Sequence, residues 1–218
     1  MGHEVKRIIV LANSYKTGGR CIAGKEIVGC NPGQWVRPVA PANETKEGAL
    51  DRKHRRTADG SEPQVLNEYE VTFAQHRPGE VQPENWDVVP GEEWRHVRSW
   101  PAQENEQLLD KPQWLWGTGK SATPQNLRDN KGSLFLIQPE SFEPYSTTSY
   151  GKPQIRAKFR YNFDYDLPIK DPLFTINDWT EDAEAGVEGK RPVWLCVSLT
   201  APFFGECYKL IASVIELS

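Results

Sequence analysis

Residues 8–39 read IIVLANSYKTGGRCIAGKEIVGCNPGQWVRPV, and their pattern decides the fold class. Three short β-branched runs, Lys6–Ala12, Cys21–Val28 and Gln34–Val39, are punctuated by glycine, asparagine and proline. Runs of that kind, bounded by turn residues, read as strands. Between the first two lies a polar loop, Asn13 to Arg20, with hydroxyls, two glycines, a lysine and an arginine. Glycines at positive φ bare backbone N–H groups, so with Lys16 and Arg20 the loop suits an anionic or nucleotide-like ligand. The same residues also make an ordinary solvated hairpin. GxxxxGK[ST] is absent and no helix follows, so this is not a P-loop.

Working outward, residues 41–64 are polar and aperiodic and read as a long, mobile loop. Val65–Ala74 alternates, with Tyr69, Val71 and Phe73 on one side, as a half-buried strand does. Tryptophan is dense from Gln82 to Trp116, and Ala102–Leu109 has the composition of a short helix. Residues 117–131, with Gly117, Gly119 and Pro124, suit a junction. Ser133–Pro139 then opens a second strand set. Ile155–Phe163 places Ile155, Ala157, Phe159 and Tyr161 on one face and Arg156, Lys158 and Arg160 on the other. Tyr165–Ile169 continues that hairpin. Asp171-Pro172 is an N-cap with proline at the first helical position, predicting a short helix toward Trp179. Residues 181–190 read as an acidic loop, and Pro192–Leu199 with Tyr208–Leu217 as a final hairpin. Regular helices between strands are missing, so parallel βαβ architecture is excluded. The expectation is an all-β chain with minor α content, as two small antiparallel barrels or one elaborated barrel. The division runs 1–116, with the long loop 41–64, and 117–218.

The 218 residues are enough for a core without disulfides or metal. Net charge is −4, which argues against a sequence-blind duplex binder. The average hides an asymmetry: residues 1–60 hold eleven Lys+Arg against six Asp+Glu, the remainder fifteen against twenty-four. A basic end on an acidic body focuses an anion locally. The run Arg52-Lys53-His54-Arg55-Arg56 lacks interleaved aromatics and also fits a solvated loop. Cys21, Cys30, Cys196 and Cys207 show no zinc spacing, and reduced structural thiols are expected. No apolar run approaches the roughly 20 residues of a spanning helix. The N-terminus is neither a signal nor a transit peptide. A cytoplasmic protein without membrane contact is expected.

The blocks LANSYKTGGRCIAG (11–24), GQWVRPV (33–39), VQPENW (81–86), YDLPIKDP (165–172) and LCVSLTAPFFGECYKLIASVI (195–215) resemble the bacterial dual OB-containing domain family. The resemblance spans nearly the whole chain in order, and its first and last blocks are the specific ones. It implies two tandem OB-like barrels, in agreement with the two strand sets. Its members are similar to modules placed near bacterial defence systems, for which nucleic-acid sensing is proposed. It carries over no catalytic mechanism.

In a strand, Trp35 and Arg37 share a face. The exposed face of the early strands is the usual OB binding surface, where aromatics stack on bases and arginine takes phosphate. Arg37 is therefore expected to face a ligand, and Trp35 to sit in the core. Asn85, within Gln82–Trp86, has an amide able to read a base edge, although those residues also suit a turn. The expected ligand-binding set is Ser14, Lys16, Arg20, Arg37 and Asn85, with no metal and no cofactor. His3, His54, His76 and His96 stand apart. Cys21 beside Arg20 is a weak nucleophile candidate. Asp164, Asp166 and Asp171 suit either a metal or turn capping. The Arg156, Lys158, Arg160 stripe suits either a phosphate path or a solvated face. No acid–base pair emerges from spacing, so binding is expected rather than catalysis. The expected function is binding or sensing of a single nucleic-acid strand or nucleotide-like ligand, within a bacterial defence system. The alternatives are a protein-interaction adaptor with a protein partner, and a nuclease or other hydrolase.

Overall fold

The computed structural model describes residues 2–101, 105–127, 132–177 and 192–217. By packing, the chain forms two compact units: Met1–Leu108 with Lys131–Ser133, and Leu109–Asn130 with Leu134–Ser218. Residues 109–116, expected at the end of the first unit, pack with the second. The Leu115 N–H donates to the Tyr165 hydroxyl at 3.1 Å, and Trp116 stacks on Phe135 with centroids 4.5 Å apart.

In the first unit, β1 (Glu4–Lys16) and β2 (Gly19–Val28) form a hairpin closed by Thr17 and Gly18 alone. Gly18 takes φ +86, which glycine reaches without a Cβ clash. The polar loop expected at 13–20 is thus mostly strand. β3 (Asn31–Val39), β4 (Asn67–His76), β5 (Asn85–Val88) and β6 (Arg95–Ser99) complete the sheet. Pairing runs β1-β2-β3-β5-β4 and returns to β1, with β6 as an edge strand on β4. All these pairs are antiparallel except β3–β5, which is parallel. A strand that re-enters beside β3 from the far end, after the β4 crossover, can only run with it. This is the strand order of an OB barrel, and the core inside it includes Ile8, Val10, Ile22, Val36, Tyr69, Val71, Phe73 and Trp94.

Loop 41–64 is packed rather than bare. Leu50 and His54 are buried, and Leu50 exchanges backbone hydrogen bonds with Arg20, both 2.9 Å. Four of the five residues of the basic run meet carboxylates: Lys53 pairs with Glu44, His54 with Glu44 and Asp51, Arg55 with Glu62, and Arg56 with Glu93.

The second unit holds β7 (Ser121–Ala122), β8 (Leu134–Ile137), β9 (Ser141–Ser149), β10 (Lys152–Tyr161), β11 (Phe163–Pro168), β12 (Val193–Leu199) and β13 (Cys207–Glu216). They form sheets β11-β10-β9 and β7-β13-β12-β8. A parallel bridge, Ile169 to Ile211, joins the end of β11 to β13. Because β8 and β9 are successive segments of chain, the order repeats that of the first unit, again with the third and fifth OB strands parallel. The chain is all-β with two OB-like units in tandem. Ala157 and Phe159 are buried and Lys158 and Arg160 exposed, matching the expected alternation. Of the expected helices, Glu106–Leu108 is a single 3-10 turn. The segment beyond Asn177, with Trp179 and loop 181–190, lies outside the described residues.

Candidate functional site

Register assigns each expected site residue to a face. Ile22 and Val10 lie in the first unit's core, and side chains alternate along a strand. Arg20 and its cross-strand partner Tyr15 therefore share the inward side, at the mouth of the barrel. Ser14, Lys16, Cys21, Lys25, Arg37 and Asn85 lie on the outer side. Four of the five expected residues thus share a face, and Arg20 takes the other.

That outer face is occupied by the chain itself. Arg37 is 2% exposed: Nη2 donates to Ser133 Oγ at 2.7 Å and lies 3.0 Å from Glu84 Oε1, while Nη1 lies 3.5 Å from Cys21 Sγ. Ser133 also donates to Glu84. Arg37 was expected to meet a ligand, but its head is spent on a buried ion pair. Lys25 is likewise buried, donating to the Leu108 carbonyl at 2.8 Å, with Nζ 5.5 Å from the half-buried Trp35 ring. Ser14 is buried and donates to the Cys21 carbonyl at 3.4 Å. Asn85 sits opposite Arg37 in the parallel register, with Oδ1 buried and unbonded. Lys16 donates to the Glu47 carbonyl. Burial lowers its pKa; Cys21 and Glu47 pull it up, and Arg37 and Arg77 push it further down. The outer face is a cation-rich, largely satisfied polar layer.

The inward side at the hairpin mouth is different. Tyr15 is 61% exposed, and the Arg20 guanidinium lies 4.4 Å from its ring centroid. Arg20 Nη1 is shielded from solvent and has no hydrogen-bond acceptor among the described residues. Sequence reading passed over Tyr15, although cross-strand pairing with Arg20 follows once the two-residue turn is placed.

In the second unit the corresponding outer face is open. A cavity of about 590 Å³ lies against β9–β11, within the size range of small-ligand sites. Its polar lining includes Lys120, Ser141, Glu143, Lys158, Asp164 and Asp166. The basic stripe is largely paired: Arg156 donates to Asp166 at 2.9 Å, and Arg160 bridges Asp164 and Glu140. Lys158 stands between Glu143 and Asp166 across the strands. Asp164 and Asp166 are thus held by arginines, and Asp171 accepts from the Leu173 and Val214 N–H groups, a capping role. Beneath the cavity wall, Lys209 is 1% exposed and donates to the Gly117 and Gly119 carbonyls, both 2.6 Å. Burial pushes its pKa down to about 8.

Two successive OB-like units, with cations and exposed aromatics at their hairpins, make the frame of an OB-fold binding module. The dual OB-containing domain family model matches residues 6–214. The chain belongs to that family. Neither a curated protein nor a solved structure matches it. No helix among the described residues is long and apolar enough to cross a membrane.

Proposed function

We propose that this protein binds single-stranded nucleic acid or a nucleotide-like ligand, as a sensing module of the kind suited to bacterial defence. The observation that carries the reading is the Tyr15–Arg20 pair. An exposed phenol face backed by a guanidinium is a place for a base to stack with a cation beside it to balance phosphate charge. Lys16, one residue on, points to the other face of the ribbon and donates to the Glu47 carbonyl, and it adds positive charge at the same hairpin end. Ser14, Arg37 and Asn85 hold the hairpin base and strand seam beneath this contact. The OB architecture supports the reading, since OB sheets and their hairpin loops bind oligonucleotides and oligosaccharides.

The test is anisotropy titration of short labelled single-stranded DNA and RNA at several salt concentrations. Tyr15→Ala is expected to weaken binding by about 1–3 kcal/mol. Lys16→Ala and Arg20→Ala should each reduce the salt slope by about one phosphate contact. Absence of binding at low salt, or variants indistinguishable from wild type, refutes the proposal.

A further inference from the structure

Two turns in the second unit hold aromatic residues where the backbone disfavours them. The β9–β10 turn is Tyr150-Gly151, with φ +50 and +73. The β12–β13 turn is Phe204-Gly205, with φ +50 and +80, closed by Phe203 and Glu206 exchanging backbone hydrogen bonds of 2.8 and 3.1 Å. Two-residue turns with both φ values positive prefer Asn-Gly, and a bulky residue at the first position is strained. Trp116 is also left-handed, at φ +53, but it is buried and stacked on Phe135, which offsets the strain. Tyr150 and Phe204 have no such return. They are 102% and 90% exposed, and among the described residues Phe204 touches an aromatic only in Phe203, itself exposed.

The turn at Tyr150 also tips an unsupported ribbon. β10 pairs with β9 from Lys152 onward, but with β11 only from Arg156 onward. Ile155 still accepts the Ile169 N–H at 2.9 Å, so among the described residues 147–154 form a two-stranded finger with no third strand, a marginal structure on its own. Besides Tyr150 and Pro153, its side chains are Thr147, Thr148, Ser149, Lys152 and Gln154, mostly hydrogen-bonding groups rather than an apolar patch. The two tips lie at opposite ends of the β10–β11 face. β13 runs parallel to β11 through the Ile169–Ile211 bridge, so its starting turn lies beside the start of β11, a strand length of about 30 Å from Tyr150. The cavity with Lys120 and Lys158 lies along the same face.

We propose that Tyr150 and Phe204 are two stacking contacts for one single nucleic-acid strand laid across the second unit's β9–β11 face. This rests on the strand-binding reading above and extends it to a second surface. Tyr150 stands among polar residues, and Phe204 forms a small exposed pair with Phe203; two aromatic tips so far apart suit bases, which every strand presents. A membrane or a protein hot spot calls for contiguous apolar area instead. Two contacts so far apart also impose a length threshold, because only a strand long enough to reach both gains from both.

The experiment is titration of labelled oligothymidylates from about 4 to about 16 nucleotides, the range one OB unit covers, against the full chain. The variants are Tyr150→Asn, Phe204→Asn and the double. Asparagine suits the turn position, so unchanged or raised Tm shows that the fold is intact. Each single variant is expected to weaken the longest strand about five-fold or more. The double variant should abolish the gain of long strands over short ones. If it binds long strands as wild type does while Arg20→Ala weakens them, this proposal is overturned and the first-unit contact stands. A wild type that binds no oligomer overturns both. Adsorption to phosphatidylcholine–phosphatidylserine vesicles that Phe204→Asn removes, without strand binding, assigns the tips to a membrane and overturns it as well.

Discussion

Arg37 shows how one side chain changes meaning with its surroundings. An arginine beside tryptophan on an early OB strand reads as a ligand contact, yet here it neutralises Glu84 in a site where both side chains are nearly inaccessible. Removing one member of a buried pair leaves the other charged and unpaired, at a cost of about 3–5 kcal/mol. Arg37→Met is therefore expected to lower stability by that amount, and Arg37→Met with Glu84→Leu to recover most of it. Denaturant unfolding of the two single variants and the double measures the coupling. Lys209 gives a pH signature of the opposite kind. Its folded pKa of about 8 lies below the ordinary lysine value of 10.5. Across that interval the unfolded chain binds the extra proton, so stability rises with pH. Below pH 8 the cost of burying the charge is present in full, and it is gone near 10.5. Unfolding of wild type and Lys209→Met across that window should show the rise in wild type and its absence in the variant.

At the scale of elements, the first hairpin is set by close approach. A Cβ on Gly24 would stand 2.0 Å from the Ile9 carbonyl oxygen, with only backbone to yield. Gly24→Ala is expected to destabilise by about 3 kcal/mol, mostly by forcing β1 and β2 apart at their bulge; a lower denaturant midpoint at unchanged m-value is the readout. A tolerated alanine there would show that the bulge relaxes freely. The strands missed in the sequence have physical reasons. β5 is four residues long. β6 is exposed throughout, so it has no apolar face to alternate. β9 carries Pro144 and a hydroxyl-rich stretch whose outer half buries nothing. Each is held by pairing to a neighbour rather than by its own composition.

At the scale of the whole molecule, the basic N-terminal third does not translate into a basic surface. Most of the 52–56 run finds carboxylates, and Arg37 and Lys25 are buried under the chain's own segments. Strand binding is then carried by stacking with few phosphate contacts. For single strands the salt slope is about −0.7 per contact, so the two contacts at Lys16 and Arg20 should give the titrations proposed above a shallow slope, about −1.4 in total. A much steeper slope would mean that an unrecognised basic path dominates.

Periodicity and turn residues by themselves determined that the chain is all-β, that it has two strand sets, and which faces of β4 and β10 go inward. Those are local consequences of alternation and of glycine and proline chemistry. The motif blocks carried the family. Sequence also brought Ser14, Lys16, Arg20, Arg37 and Asn85 forward as a set; all but Arg20 share one face, and Arg20 takes the other. Whether that face is open was decided only by the tertiary structure. Which segments return to cover a sheet, and which carboxylate each cation meets, depends on residues far apart in the chain: Glu84 and Ser133 for Arg37, Leu108 for Lys25. The same holds for the two aromatic tips, since the backbone angles of Tyr150 and Phe204 follow from the register of the strands they join.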